Sequence, residues 1–172
     1  RGGEHDYIRV KELFVPLLKK IPRVSVDEAY QFPSQAQFDK ADLLIQFLHQ
    51  PAITDKQFAS YQKFVDDGGA VVSIHESCII RPIDRAHKLA GCIGCSWKGN
   101  KDSRWSKFSR NEPLYLDTKH PVFAGLPKSM RFNDESYWSM IQRDKVEVIG
   151  AVGTAANTEA QSFAEVLNSK GA

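Results

Sequence analysis

The sequence predicts an open α/β domain, with a mostly parallel sheet and helices on both faces. Three observations carry that expectation. Leu43–Leu48 and Ala70–Ile74 are nearly continuous apolar runs, as strands covered on both sides require. A capped helical stretch with one apolar face lies between them. Strand and helix signals also alternate along the chain, which implies parallel pairing through right-handed crossovers.

In order, Arg1–Asp6 forms a turn-like entry to a helix. That helix carries Val10, Leu13, Phe14, Leu17 and Leu18 at spacings that share a face. Pro22 closes it, and Val24–Ala29 reads as a short strand. Leu43–Leu48 is the first buried strand. Thr54, with Gln57 three positions on, predicts a capping box, and Phe58, Tyr61, Phe64 and Val65 form the buried face of the helix it opens. Gly68-Gly69 stops that helix, since glycine accepts the left-handed backbone at a helix end. Ala70–Ile74 is the second buried strand, ending at His75. Another helix follows over Arg85–Leu89. Cys92–Arg110 is rich in Gly, Ser, Lys and Trp and predicts an irregular surface excursion. Leu114–Leu116, Val146–Ile149 and Phe163–Leu167 are later strand candidates, the last with a helical alternative.

With 172 residues, the chain suits one domain over 1–172 with a sizeable core. Its 23 basic and 21 acidic residues give a net charge of +2, too even for a nucleic acid or an anionic membrane as main partner. No apolar run approaches a membrane span. Three cysteines are too few, and odd in number, for a disulfide framework. The compartment stays open between cytoplasmic and secreted or periplasmic, because no leader region precedes Arg1. A homo-oligomer is compatible with this composition.

In open parallel sheets, ligands bind beyond the carboxyl ends of the central strands. That rule points to His49 after the first buried strand, and to His75 and Glu76 after the second.

Several stretches resemble the ThuA-like family of the class I glutamine amidotransferase-like superfamily. Thr54-Asp55-Lys56-Gln57 followed by Gly68-Gly69-Ala70-Val71-Val72-Ser73-Ile74-His75 is similar to the family's "lt-eq" helix and "GGG-vgiH" strand. His5-Asp6-Tyr7 resembles its early His-containing turn, His120–Pro127 its "HPi-aGLP" segment, and Asp134-Glu135-Ser136-Tyr137 its "DElY" segment. The resemblance implies a flavodoxin-like sandwich. It also implies a chain truncated at both ends, lacking the family's first strand and its closing one. Catalytic amidotransferases place a cysteine on a sharp G-x-C-x-G elbow between strand and helix. The matching residues here are Ser73-Ile74-His75-Glu76-Ser77. An imidazole replaces the thiol, so glutamine amidotransferase activity is not expected. Cys78 lies three residues past the elbow.

His5, His75, Glu76, Asp134 and Glu135 form the candidate catalytic set, with His49 and Tyr137 beside them. Imidazoles and carboxylates in a crevice can do acid–base work on a sugar hydroxyl or hold a divalent metal; no particular cofactor is specified. The plainer alternatives are a hydrogen-bonded His75 at the sheet end and an Asp134-Glu135 helix cap. Cys92-x-x-Cys95, with His87 and Cys78, could bind zinc or cycle between thiol and disulfide, but no second Cys-x-x-Cys completes a zinc site. Trp97 and Trp105, among Lys98, Lys101, Arg104 and Lys107, suit a carbohydrate platform or a loop pinned by buried indoles; the near-neutral charge disfavours nucleic acid. His120 fits a structural part in its His-Pro turn. The resemblance implies a small carbohydrate substrate, of the trehalose or 3-keto disaccharide type. A noncatalytic sugar- or partner-binding module and a hydrolase using Cys78 are the alternatives.

Overall fold

A computed structural model describes residues 6–48, 52–108, 113–131, 133–143, 146–154 and 157–167. They mix helices with small sheets and divide into two compact units, Arg1–Pro82 and Ile83–Ala172. None of the described helices is long and apolar enough to cross a membrane.

In the first unit, Asp6 opens helix α1 (Tyr7–Leu18), its carboxylate accepting the Arg9 amide at 2.9 Å. That gives one orphan N–H of the first turn a partner. The helix ends four residues short of Pro22. Of the stripe expected to face inward, Leu18 is half-buried, but Leu13 and Leu17 are 56% and 58% exposed, with Val10 and Phe14 exposed beside them. Tyr7, Lys11 and Val15 are half-buried along with Leu18. Three contacts account for this rotation. The Tyr7 ring lies 5.0 Å from that of Phe47, and the Lys11 ammonium reaches the Glu28 carboxylate at 2.9 Å and the Tyr30 hydroxyl.

Val24–Ala29, expected as a strand, joins no ladder. Its Glu28 is held by Lys11, and by Lys19 at 3.4 Å. The hydrogen bond from Lys11 is the main reason its carboxyl lies below the usual glutamate range. Ion pairing to α1 thus takes the place of strand pairing along this stretch.

Helix α2 (Gln35–Phe38) begins with a Ser34–Gln37 capping box. Strand β1 (Leu43–Phe47) follows, then α3 (Asp55–Asp66) and β2 (Ala70–Ile74). The strands pair in parallel, from Leu43 opposite Ala70 to Phe47 opposite Ile74. Thr54 and Gln57 form the predicted box: the threonine hydroxyl accepts the Gln57 amide at 3.2 Å, and the glutamine carbonyl accepts the Thr54 amide at 2.8 Å. Gly68 stops α3 with φ +98°, a conformation that strains any residue with a Cβ. At Gly69, a Cβ would run into the Phe64 ring.

Between α2 and α3 lies an aromatic core. Phe38 meets Phe64 at 5.3 Å and Phe32 at 5.5 Å, and Tyr61 lies 6.4 Å from Phe38 and from Phe58. Leu43 and Val72 stay exposed, so cover on both faces of the strand pair is incomplete.

In the second unit, a 3-10 turn over Ile83–Arg85 leads into α4 (Ala86–Ile93), which buries Ala86, Leu89, Ala90 and Cys92. It continues with β3 (Cys95–Ser96), β4 (Arg104–Phe108), β5 (Leu114–Leu116), β6 (Ser129–Met130), β7 (Asp134–Trp138), β8 (Ile141–Gln142), β9 (Val146–Thr154) and β10 (Asn157–Leu167). The predicted excursion over Cys92–Arg110 therefore includes strands, and Phe163–Leu167 is strand as expected rather than its helical alternative. Pairing here is antiparallel, in β3–β8, β4–β7 and the order β10-β9-β5-β6. The close succession of β9 and β10 permits only that direction for their pair, because a parallel return needs a crossover of a dozen residues or more. The Ser96 hydroxyl donates to the Ala86 carbonyl at 2.6 Å and ties β3 to the start of α4.

The capping box gives a direct stability test. Thr54→Ala is expected to lower the unfolding free energy by about 1 kcal/mol, with Thr54→Ser close to neutral. Equal urea midpoints for Thr54→Ala and the parent chain would contradict the role given to the box.

Candidate functional site at the end of the parallel strands

Where β2 ends, the chain turns sharply into a short 3-10 helix, His75–Cys78. His75 occupies the turn with φ +57°. A left-handed backbone is costly for a residue with a Cβ, of order 1 kcal/mol, and persists only where its surroundings impose it.

The imposing contacts come from β1. Ser77 is 1% exposed. Its hydroxyl accepts the Leu48 amide at 2.7 Å and donates toward the Gln46 carbonyl at 3.2 Å. Gln46 is the one polar residue in the run Leu43–Leu48. Its amide nitrogen donates to the Ser73 hydroxyl at 3.0 Å and to the Ser77 carbonyl at 3.3 Å, and its side-chain carbonyl accepts the Tyr61 hydroxyl at 3.2 Å. One glutamine thus joins β1, β2, the elbow and α3. Removing the Ser77 hydroxyl would leave a half-buried amide without its acceptor, a loss of about 1–3 kcal/mol.

Around the elbow, the Phe47 ring lies 6.3 Å from the His75 imidazole and 5.0 Å from Tyr7. His75 and Glu76 are both half-buried. The Tyr7 hydroxyl and the Glu76 Oε2 are shielded from solvent. Burial, and secondly the Glu76 charge, push the Tyr7 phenol above its ordinary pKa of 10.0. The imidazole and the phenol thus each lie beside the Phe47 ring, with the Glu76 charge acting on the phenol, at the carboxyl end of the parallel pair where such sheets place their ligands.

His5 and His49 lie outside the described residues. Asp134, Glu135, Trp97, Trp105 and Tyr137 belong to the second unit. Asp134 and Glu135 open strand β7 and cap no helix. The Tyr137 hydroxyl donates to Glu135 Oε2 at 3.2 Å, and Trp97 meets the Tyr137 ring edge-on at 5.7 Å. Trp97 is 4% exposed and Trp105 53%, so the first is a buried support and the second offers an open face.

Among the described residues, no group of three or more His, Cys, Asp or Glu side chains is placed to hold a metal ion. Cys78 and Cys92 are buried and Cys95 is half-buried, and none of them is in a disulfide. His120 Nδ1 accepts the Val122 amide at 3.3 Å, the structural part expected of it.

A hollow lined by Asp39, Asp42, Lys63, Asp67 and Gly69 opens at the amino ends of β1 and β2, away from the elbow. Lys63 is already paired there with Asp67 at 2.6 Å. Its place at the wrong end of the strands leaves the elbow as the better candidate site.

Tyr7, Phe47, Gln46 and Ser77 were not singled out from sequence. A lone polar residue inside an apolar strand is the signal that marks Gln46.

A family model described as "ThuA: Trehalose utilisation" matches residues 1–166. Searches among curated proteins and among solved structures returned no match.

The Tyr7 environment has a pH signature. A phenol whose pKa is raised by folding leaves stability unchanged below pH 10 and lowers it as pH climbs past 10. Glu76→Gln should bring the Tyr7 ionisation down yet leave it above 10, because burial is the larger cause. Ultraviolet phenolate titration, with Tyr7→Phe identifying the band, checks this. An ionisation unmoved by Glu76→Gln would contradict the placement of the two groups.

Proposed function

The chain belongs to the ThuA family, described as trehalose utilisation, and on that basis we propose that it works on a small carbohydrate with His75 as its acid–base group. The substrate class in this reading is a trehalose-type disaccharide or its 3-keto form. The observation that carries the reading is the left-handed backbone of His75 at the carboxyl end of β2. Strain of this kind clusters at functional sites and is retained by the surrounding contacts. Here Ser77 and Gln46 supply those contacts.

An imidazole can take a proton from a sugar hydroxyl and return it near neutral pH. Glu76, next in the chain, is the carboxyl partner in this account, and the Phe47 ring screens the imidazole on one side. His5 and His49 belong to the same proposal as further acid–base or substrate contacts. The elbow carries an imidazole in place of the amidotransferase thiolate, so glutamine hydrolysis is no part of the proposal.

The same reading takes residues 1–172 as one ThuA-like domain of the open, flavodoxin-like type, supported by the parallel β1–α3–β2 unit. A noncatalytic sugar-binding module is the second reading, favoured by the absence of a thiol at the elbow.

To test the first reading, trehalose and its 3-keto form are incubated with the chain and the products followed by chromatography. His75→Gln should reduce conversion by about a hundredfold or more, the scale of losing a general acid–base group. Conversion unchanged by His75→Gln would overturn the assignment. Saturable binding without conversion would favour the binding module.

A further inference from the structure

Strands β4 and β7 carry a second cluster. Their register sets Trp105 opposite Tyr137 and Lys107 opposite Glu135. Directly opposed residues in an antiparallel pair share a face, and alternate residues along each strand occupy it. Trp105, Lys107, Tyr137 and Glu135 therefore stand on one face, and Ser106 and Ser136 on the other. Ser136 is 2% exposed while Trp105 is 53% exposed, which makes the aromatic face the outer one.

That face is built rather than incidental. Tyr137 is fixed from two directions, by the buried edge-on indole of Trp97 at 5.7 Å and by its own hydrogen bond to Glu135 at 3.2 Å. Side chains held in this way lose little conformational freedom when a ligand arrives. Beside them, Trp105 presents an open indole whose apolar area gains by leaving water.

We propose that this face is a subsite for one pyranose ring of a neutral saccharide. Trp105 stacks on the ring's C–H face, Glu135 accepts from a hydroxyl, and Lys107 donates to a ring or hydroxyl oxygen. The inference rests on the carbohydrate reading above and adds the place where a sugar ring sits. Charge selects the ligand class. Lys107 and Glu135 oppose one another with cancelling charges, so the strip offers no net attraction to a sugar phosphate. A single-stranded nucleic acid also stacks on aromatics, but needs a cationic track for its backbone, which a balanced pair does not supply.

The test titrates the chain with trehalose and, separately, with glucose and glucose 6-phosphate, by calorimetry with tryptophan fluorescence in parallel. Trehalose should bind saturably. Trp105→Ala should weaken it about tenfold or more, as removal of an aromatic anchor does. Trp105→Phe should keep most of the affinity, and glucose 6-phosphate should bind no more tightly than glucose. Circular dichroism of each variant checks that the fold is retained. Wild-type affinity in Trp105→Ala, tighter binding of the phosphate, or no saccharide binding by the parent chain would each overturn the subsite. The two proposals fail separately: saccharide affinity that Trp105→Ala leaves untouched removes the subsite alone, whereas binding lost in Trp105→Ala with no conversion by the parent chain removes the catalytic reading alone.

Discussion

The hydroxyl of Ser77 is the constraint on which the candidate site depends. It accepts the Leu48 amide at 2.7 Å just past the end of β1, where the strand's ladder to β2 has run out. A backbone donor at that point needs an acceptor once shielded from water. The elbow supplies one, and in doing so is anchored against β1. With Ser77 fixed two residues downstream and Ile74 fixed in the ladder upstream, His75 has little room between them. Its left-handed φ is the geometric remainder of those two attachments.

Gln46 extends the constraint inward. Set in an otherwise apolar strand, it donates to the elbow and to β2 and accepts from Tyr61 on α3. A partly satisfied polar group at such a position would be destabilising, whereas a connected one specifies a single arrangement. The aromatic packing around Phe38, Phe58, Tyr61 and Phe64 thereby reaches the elbow through one hydroxyl. Stability of the helical layer and orientation of the imidazole are coupled by this short chain of bonds.

What could be read from the sequence was local. The Thr54–Gln57 box, the glycine stop at Gly68 and the strand leading to His75 each depend on residues within a few positions of one another. What escaped was non-local or depended on a choice between faces. Val24–Ala29 has strand-like residues, but a strand exists only through its ladder, and Glu28 is drawn to lysines on α1 instead. The apolar stripe of α1 was clear, yet the ring contact of Tyr7 with Phe47 and the Lys11 pairs rotate the helix onto another side. Strand β4 went unseen because Arg104, Ser106 and Lys107 hide its alternation, and its partner β7 lies some thirty residues on. At the site, His75 and Glu76 were legible from the strand-end rule, whereas Tyr7 and Ser77 became relevant only once the chain had folded.

The central claim is that the elbow bearing His75 faces the saccharide. Amide and imidazole resonances of an isotopically labelled chain, followed by nuclear magnetic resonance as trehalose is added, address it most directly. Saturable shifts are expected at His75, Glu76, Ser77 and the Leu48 amide, with the acidic hollow around Asp39 and Asp67 unmoved. Shifts at that hollow with a silent elbow would contradict it.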